Sequence, residues 1–487
     1  MKHILSKQSQ RFLTTLEHLY YNDYSSHENL ANLSQVSVKT IQEDIKKMND
    51  FINPLKINNY SQNECRLVGQ NNIASDYIYS CILSNSLEFS VLEIIFFEKH
   101  DRLEDYADAL FISLSTLKRI ISKINNRIKK NGFQISTNPI QLVGDEQIIC
   151  YMMANFFKEK YLEEKYPFSP VQYKVFDQLI YYALSDYQQF SNFPDINKLK
   201  LYCFVSIIRI QNGHFEKTTF EKKLKKNYEF SFLDNHLFKQ AFKSVFQIEL
   251  SKENIIDLAY PFLNENFAFS YNEMLEVTNK NERKKRELDN LILLIEDISS
   301  SLDLTLVDNK RKKLILDLYN VRLLMVEHPN LLHNVKRNFL INLMNDYPVV
   351  YKFVESKIIN HPNFKEYSES EKEEIIYILL THWNELLFAI QDTQPLFTVG
   401  LCMTADVEHS ELIANMLNRK FYRRFDFQVI QFTNYQDASD QFDNYDVILT
   451  NVSNMVYKDK TIICIDLYPS MKDYTKIYNL YYDLQEI

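Results

Sequence analysis

The apolar positions of the first 150 residues fall into stripes, and the stripes come twice. Ile41, Ile45 and Met48 recur at i, i+4 and i+7. Leu117, Ile120, Ile121, Ile124 and Ile128 repeat the same helical period, so each set predicts one buried helix face. A shift of 76 residues lays 28–37 onto 104–113 and carries Thr40 to Thr116, Ile41 to Leu117, Ile45 to Ile121 and Met48 to Ile124. After one residue of slippage, Arg66-Leu67-Val68-Gly69 matches Gln141-Leu142-Val143-Gly144. Such a repeat means a duplicated module.

Each copy predicts a short helix, a turn, a second helix and a hairpin. Residues 28–33 form the first short helix, and Ser37 and Ser113 stand where a hydroxyl caps the free amides of the next helix. Residues 56–69 and 133–144 alternate between turn-rich flanks, as hairpin wings do. The expectation is a tandem winged helix-turn-helix. Its chemistry lies opposite the isoleucine stripe. No acidic residue occurs between Asp108 and Asp145, whereas Lys118, Arg119, Lys123, Arg127, Lys129 and Lys130 all do. A basic amphipathic helix after a tight turn suits the major groove, its first turn reaching bases and its cations holding phosphates. The expected contacts are Ser115, Thr116, Lys118, Arg119, Lys123 and Arg127 in the second copy, and Ser37, Lys39, Thr40, Gln42 and Lys46 in the first. Glu43, Asp44 and Asp50 dilute the charge of the first.

The rest of the chain changes character twice. From about 166 to 392 it carries wide apolar helical faces, interrupted by the charged run 281–287, which predicts two helical bundles. After Gln394-Pro395, strands at 396–402, 427–432, 446–451 and 461–466 alternate with a helix at 407–420 and end in a helix from 470, a small parallel α/β sheet. Overall the chain reads as mainly α and multidomain. The expected domains are 1–72 and 73–165 (the two helix-turn-helix modules), 166–278 and 279–393 (the helical bundles), and 394–487 (the α/β domain).

Composition narrows the function. Five glycines in 487 residues leave no clustered glycine loop for a nucleotide, so dinucleotide-binding and P-loop folds are excluded. A net charge of −9 makes any nucleic-acid contact a local matter. Six scattered cysteines without ligand spacing call for neither disulfides nor a metal, and no cofactor is expected. No run is long and apolar enough for a signal or membrane segment, and the expected location is the cytoplasm.

Three segments carry a family resemblance: Ser37-Val38-Lys39-Thr40-Ile41-Gln42-Glu43-Asp44-Ile45, Arg209-Ile210-Gln211-Asn212-Gly213-His214, and Glu374-Ile375-Ile376-Tyr377-Ile378-Leu379-Leu380-Thr381-His382. With the order of domains, they make the chain resemble the Mga/AtxA-type transcriptional regulators of Gram-positive bacteria. The resemblance implies that the bundles are phosphotransferase-regulated domains (PRDs) and that the tail is EIIB-like. It further implies phosphorylation by the histidine phosphocarrier of the sugar phosphotransferase system, with His214, His382 and His333 as candidate acceptors. Cys402 stands where catalytic EIIB domains carry a nucleophile, but beyond Gly400 its loop lacks further glycines and runs into Asp406 and Glu408, which predicts a noncatalytic, dimer-forming domain. The function expected is double-stranded DNA binding by a homodimer or larger oligomer, an activator rather than an enzyme. The alternatives are a PRD-containing RNA-binding antiterminator, a phosphotransfer protein acting through Cys402 or His214, and a purely structural partner.

Overall fold

A computed structural model describes residues 1–162, 167–185, 193–214, 230–259, 263, 266–324, 331–433 and 435–485. The expected boundary at 165/166 lies outside them. Two compact units emerge, one of Met1–Leu293, Asp308–Ile341 and Asn363–Ile378, the other of Leu294–Val307, Asn342–Pro362 and Leu379–Ile487. The 279–393 segment is therefore shared between both.

The first unit opens with α1 (Lys7–Tyr21), then α2 (His27–Ser34) and α3 (Val38–Asn49). A hairpin of β2 (Lys56–Asn59) and β3 (Glu64–Val68) follows, with Ile57 opposite Leu67. The short strand β1 (Ser25–Ser26) pairs with β3 and makes the sheet three-stranded, an addition the sequence pattern did not announce. The second copy repeats the plan. After α4 (Asp76–Asn85) and α5 (Leu87–Phe96) come α6 (Leu103–Ala109), α7 (Leu114–Ile128) and the hairpin β4 (Phe133–Thr137) and β5 (Ile140–Gly144). Helix α8 (Glu146–Tyr161) closes it, capped by Asp145, which accepts from the Gln147 and Ile148 amides. Both stripes face the core: in α3 Ile41 and Met48 are buried and Ile45 is half-buried, and in α7 Leu117, Ile120, Ile121, Ile124 and Ile128 are all buried. The same core continues into the helices Pro170–Ser185, Phe193–Gln211 and His236–Phe246. Burial of this many apolar side chains, at roughly 1.5–3 kcal/mol each, is the main force holding these elements together.

No described helix is long and apolar enough to cross a membrane. Helices α4 and α5 together carry enough apolar residues, but they bend by 77° at Ser86 and bury those residues in the core.

In the second unit the strands β6 (Phe397–Cys402), β7 (Phe425–Val429), β8 (Val447–Thr450) and β9 (Thr461–Cys464) form a parallel sheet of order β7-β6-β8-β9. The helix Val407–Lys420 matches its predicted bounds. Strand β7 begins two residues earlier than the pattern suggested, because Phe425 and Phe427 both point into the core and set its register. The short helix Tyr435–Gln441 supplies a crossover between β7 and β8 that the sequence did not reveal.

Candidate nucleic-acid interface

The two helix-turn-helix copies are alike down to single hydrogen bonds. Ser37 Oγ accepts from the Thr40 amide at 3.2 Å, and Ser113 Oγ accepts from the Thr116 amide at 3.1 Å. Each threonine hydroxyl also meets its serine, at 2.9 and 2.8 Å. Behind the helix, Asn49 Nδ2 donates to the Ile57 carbonyl and its Oδ1 accepts from the Ile57 amide. Asn125 clasps Ile135 in the same way. The equivalence of Asn49 and Asn125 follows the 76-residue register, so each second helix is fixed to its own hairpin by one asparagine. Two bonds to otherwise orphaned backbone groups make that junction rigid.

The turns match as well. The Val36 amide donates to the Ala31 carbonyl and the Gln35 amide to Asn32; Ile112 and Phe111 repeat this onto Ala107 and Asp108. This is a Schellman ending of the first helix, with Gln35 (φ 53°) and Phe111 (φ 55°) in the left-handed conformation it demands.

On the outward face of α7, Ser115, Lys118, Arg119 and Arg127 are exposed, and Thr116 is half-buried behind its cap. On α3 the exposed set is Lys39, Gln42 and Lys46 with Ser37 at the cap, and Thr40 is half-buried. Lys123 requires a correction. Its Nζ donates to Glu88 Oε1 at 2.9 Å and to the Leu5 carbonyl at 3.0 Å, so it turns back toward α5 and away from the open face. The physical reason is Glu88, a nearly buried carboxylate that needs a cation. Asp44 is corrected in the opposite sense. It is buried and held by Arg11, with Nε 2.8 Å from Oδ2, so it does not dilute the surface charge of α3. Glu43 and Asp50 do remain exposed.

Several contributors were not foreseen. Arg66 lies over the Tyr60 ring at 5.5 Å, and Tyr60 stacks on Tyr24 at 4.9 Å, giving the first hairpin an exposed cation-aromatic edge. The signal available was an arginine and a tyrosine across a predicted hairpin.

Another is Arg209, fully buried near the end of helix Phe193–Gln211. Its Nε and Nη2 bind Glu146 at 2.8 and 2.6 Å, Nη1 binds Glu98 at 3.0 Å, and Nη2 also meets the Leu142 carbonyl of β5 at 2.9 Å. Its signal was a lone cation in the apolar run 201–210. Gly213 (φ +80°) ends that helix in another Schellman turn, with His214 N–H on the Arg209 carbonyl. That turn sets His214 Nε2 2.7 Å from Glu98 Oε1. The buried cation thus ties His214 to the second copy's hairpin.

Of the other two histidines, His333 is buried and stacked on Tyr79 at 4.2 Å, and burial pushes its pKa below the ordinary 6.5. A packed ring offers no approach to a phosphodonor, which corrects its place among the acceptors. His382 is exposed at the end of helix Glu369–His382.

The family model described as the Mga helix-turn-helix domain matches residues 71–157, the span of α4 through α8. This match, together with those of three relatives, supports placing the chain among the Mga/AtxA-type regulators. It is 25% identical over 472 residues to a putative trans-acting regulator of Streptococcus pneumoniae, with 95% of each chain covered. It is also 20% identical over 467 residues, 92% of each chain, to the capsule synthesis positive regulator AcpB of Bacillus anthracis. A third relative, AcpA of the same organism, is 26% identical over 180 residues, 37% of each chain. The Mga-type domain is DNA-binding, and the relatives are named as regulators rather than enzymes.

The Cys402 region has the chemistry of a packed element. Cys402 is buried beside Ile430, Ala438, Phe442 and Ile448, and burial pushes its thiol up to about 11, so the nucleophilic thiolate is suppressed. Two backbone donors nearby are already taken: Thr404 N–H by Asn451 Oδ1 at 2.8 Å, and His409 N–H by Asp406 Oδ1 at 2.8 Å. All six cysteines are free thiols, and among the described residues no cluster of metal-ligating side chains occurs.

Proposed function

We propose that this chain binds double-stranded DNA through both helix-turn-helix copies, chiefly through α7, and activates transcription. The observation that carries this is the exposed row Ser115, Lys118, Arg119 and Arg127 on a capped helix that no carboxylate shares. Its relatives' printed names, two of them positive regulators of capsule synthesis, support activation of surface or virulence functions.

In the same proposal the helical segments 166–278 and 279–393 are PRDs, and the C-terminal sheet is an EIIB-like domain kept for assembly into a homodimer or larger oligomer. The exposed Val407, Leu412, Leu467, Tyr468 and Met471 on that domain support the assembly role. His214, and secondarily His382, accept a phosphoryl group from the histidine phosphocarrier. The phosphorus–nitrogen bond of the carrier breaks as that of the acceptor forms. Nearly two negative charges then stand beside Glu98, which already shares Arg209 with Glu146. Repulsion there loosens the clamp on β5 and changes DNA affinity. At His382 the added charge meets the negative end of a helix, a less favourable place.

The test is transfer of labelled phosphate from the phosphocarrier system to the full chain, with a gel-shift titration of the product. Label is expected on the wild type, reduced in His214→Ala and absent when His382→Ala is added. Full labelling of the double variant, or identical DNA affinity with and without phosphate, overturns the regulatory part.

A further inference from the structure

The turn of the second copy holds a side chain in the wrong place for stability. Position C′ of a Schellman ending requires a left-handed backbone and favours glycine, or asparagine after it. Phe111 occupies it at φ 55° and is 95% exposed, so the strained backbone brings no burial in return. Among the described residues nothing covers this ring. The first copy carries Gln35 at the equivalent position, with the same turn and the same hydrogen bonds. A lone exposed aromatic is ordinary by itself. Phe111 differs in that it is held on a left-handed backbone two residues before the cap of the acid-free helix α7, and that combination points to a contact outside the chain.

Its surroundings say what. Phe111 stands two residues before the cap of α7, on the approach to exposed Ser115, Lys118 and Arg119. No acidic residue follows until Asp145. A partner here must be polyanionic and must also offer an apolar edge. Duplex DNA does both, through its phosphates and the C5-methyl group of thymine in the major groove. We propose that Phe111 is a specificity-determining residue of the second helix-turn-helix, packing on a thymine methyl at the edge of the groove that α7 enters. Gln35 makes a polar contact at the corresponding place, so the two copies prefer different bases. The inference rests on the DNA-binding role proposed above.

Duplexes enriched from a random-sequence pool by the wild-type full chain provide the probe. Phe111→Gly is expected to melt at or above the wild-type temperature, because glycine relieves the turn. Its DNA affinity should fall about fivefold, the worth of one methyl-sized apolar contact. The salt slope should stay unchanged, since no ion pair is lost. Replacing thymine by uracil in the protected site should weaken the wild type by a similar factor and leave Phe111→Gly unaffected. Phe111→Gln should bind like the glycine variant.

Wild-type affinity in Phe111→Gly, or equal uracil sensitivity in both proteins, overturns the assignment. So does lost transcriptional activation with intact DNA binding, which would place a protein against the ring. If Lys118→Ala weakens binding while Phe111→Gly does not, the DNA-binding role stands and only this inference falls. If the wild type enriches no duplex at all, both fall.

Discussion

The two helix-turn-helix copies share a backbone plan and differ in how they spend charge. In the first, α3 gives an acid, Asp44, to a base on α1, Arg11. In the second, α7 gives a base, Lys123, to an acid on α5, Glu88. The ion pair that bolts the second helix to a helix of its own module thus has reversed polarity. The first copy hides one of its acids and the second hides one of its lysines. Even so, α7 keeps an outward row free of carboxylates, while α3 presents Glu43 and Asp50 among Lys39, Lys46 and Lys47. Counting charges along a helix therefore misjudges a binding face until the inward pairs are subtracted.

Substitution of those bolts breaks the comparison most sharply. Lys123→Ala strands Glu88, whose side chain is only 8% exposed, and should destabilise the chain by about 3 kcal/mol. Urea unfolding of the full chain checks it, and the salt slope of DNA binding should not move, because Lys123 faces inward. Asp44→Ala strands Arg11, which is 20% exposed and can reach water, so a smaller loss of about 1–2 kcal/mol is expected. Equal losses would show that exposure of the orphaned partner does not set the cost.

The smallest effect concerns His333, which packs on Tyr79 of α4 in the second module and has no counterpart in the first. Burial depresses its folded-state pKa below 6.5, so the unfolded chain binds the proton more readily. Its contribution is present above pH 6.5 and is lost as pH falls below that value. His333→Phe should flatten that acid-side decline, read as melting temperature between pH 7.5 and 5.5. A decline of undiminished slope would assign it to other groups.

Much of this was legible in the residues. The 76-residue register located both caps and both stripes, because local hydrogen bonding and burial period are written into adjacent positions. The C-terminal strands were legible for the same reason. What stayed hidden were pairings across distance: Arg11 with Asp44, Lys123 with Glu88, and Arg209 with Glu98 and Glu146. A helical wheel puts Lys123 beside its basic neighbours, and only the position of α5 turns it inward. Likewise Phe111 looks like one more core aromatic until the turn geometry exposes it.

The central claim is that the second copy is the principal reader of DNA. It is tested most directly by the salt dependence of duplex binding for Lys118→Ala/Arg119→Ala beside Lys39→Ala/Lys46→Ala, in otherwise identical full-length chains. The former pair is expected to lower affinity more than tenfold and to flatten the slope of log K against log salt by about 1.8, two phosphate contacts' worth. The latter pair should produce a smaller change in both. An unchanged slope in Lys118→Ala/Arg119→Ala, with a flattened one in Lys39→Ala/Lys46→Ala, would contradict the account.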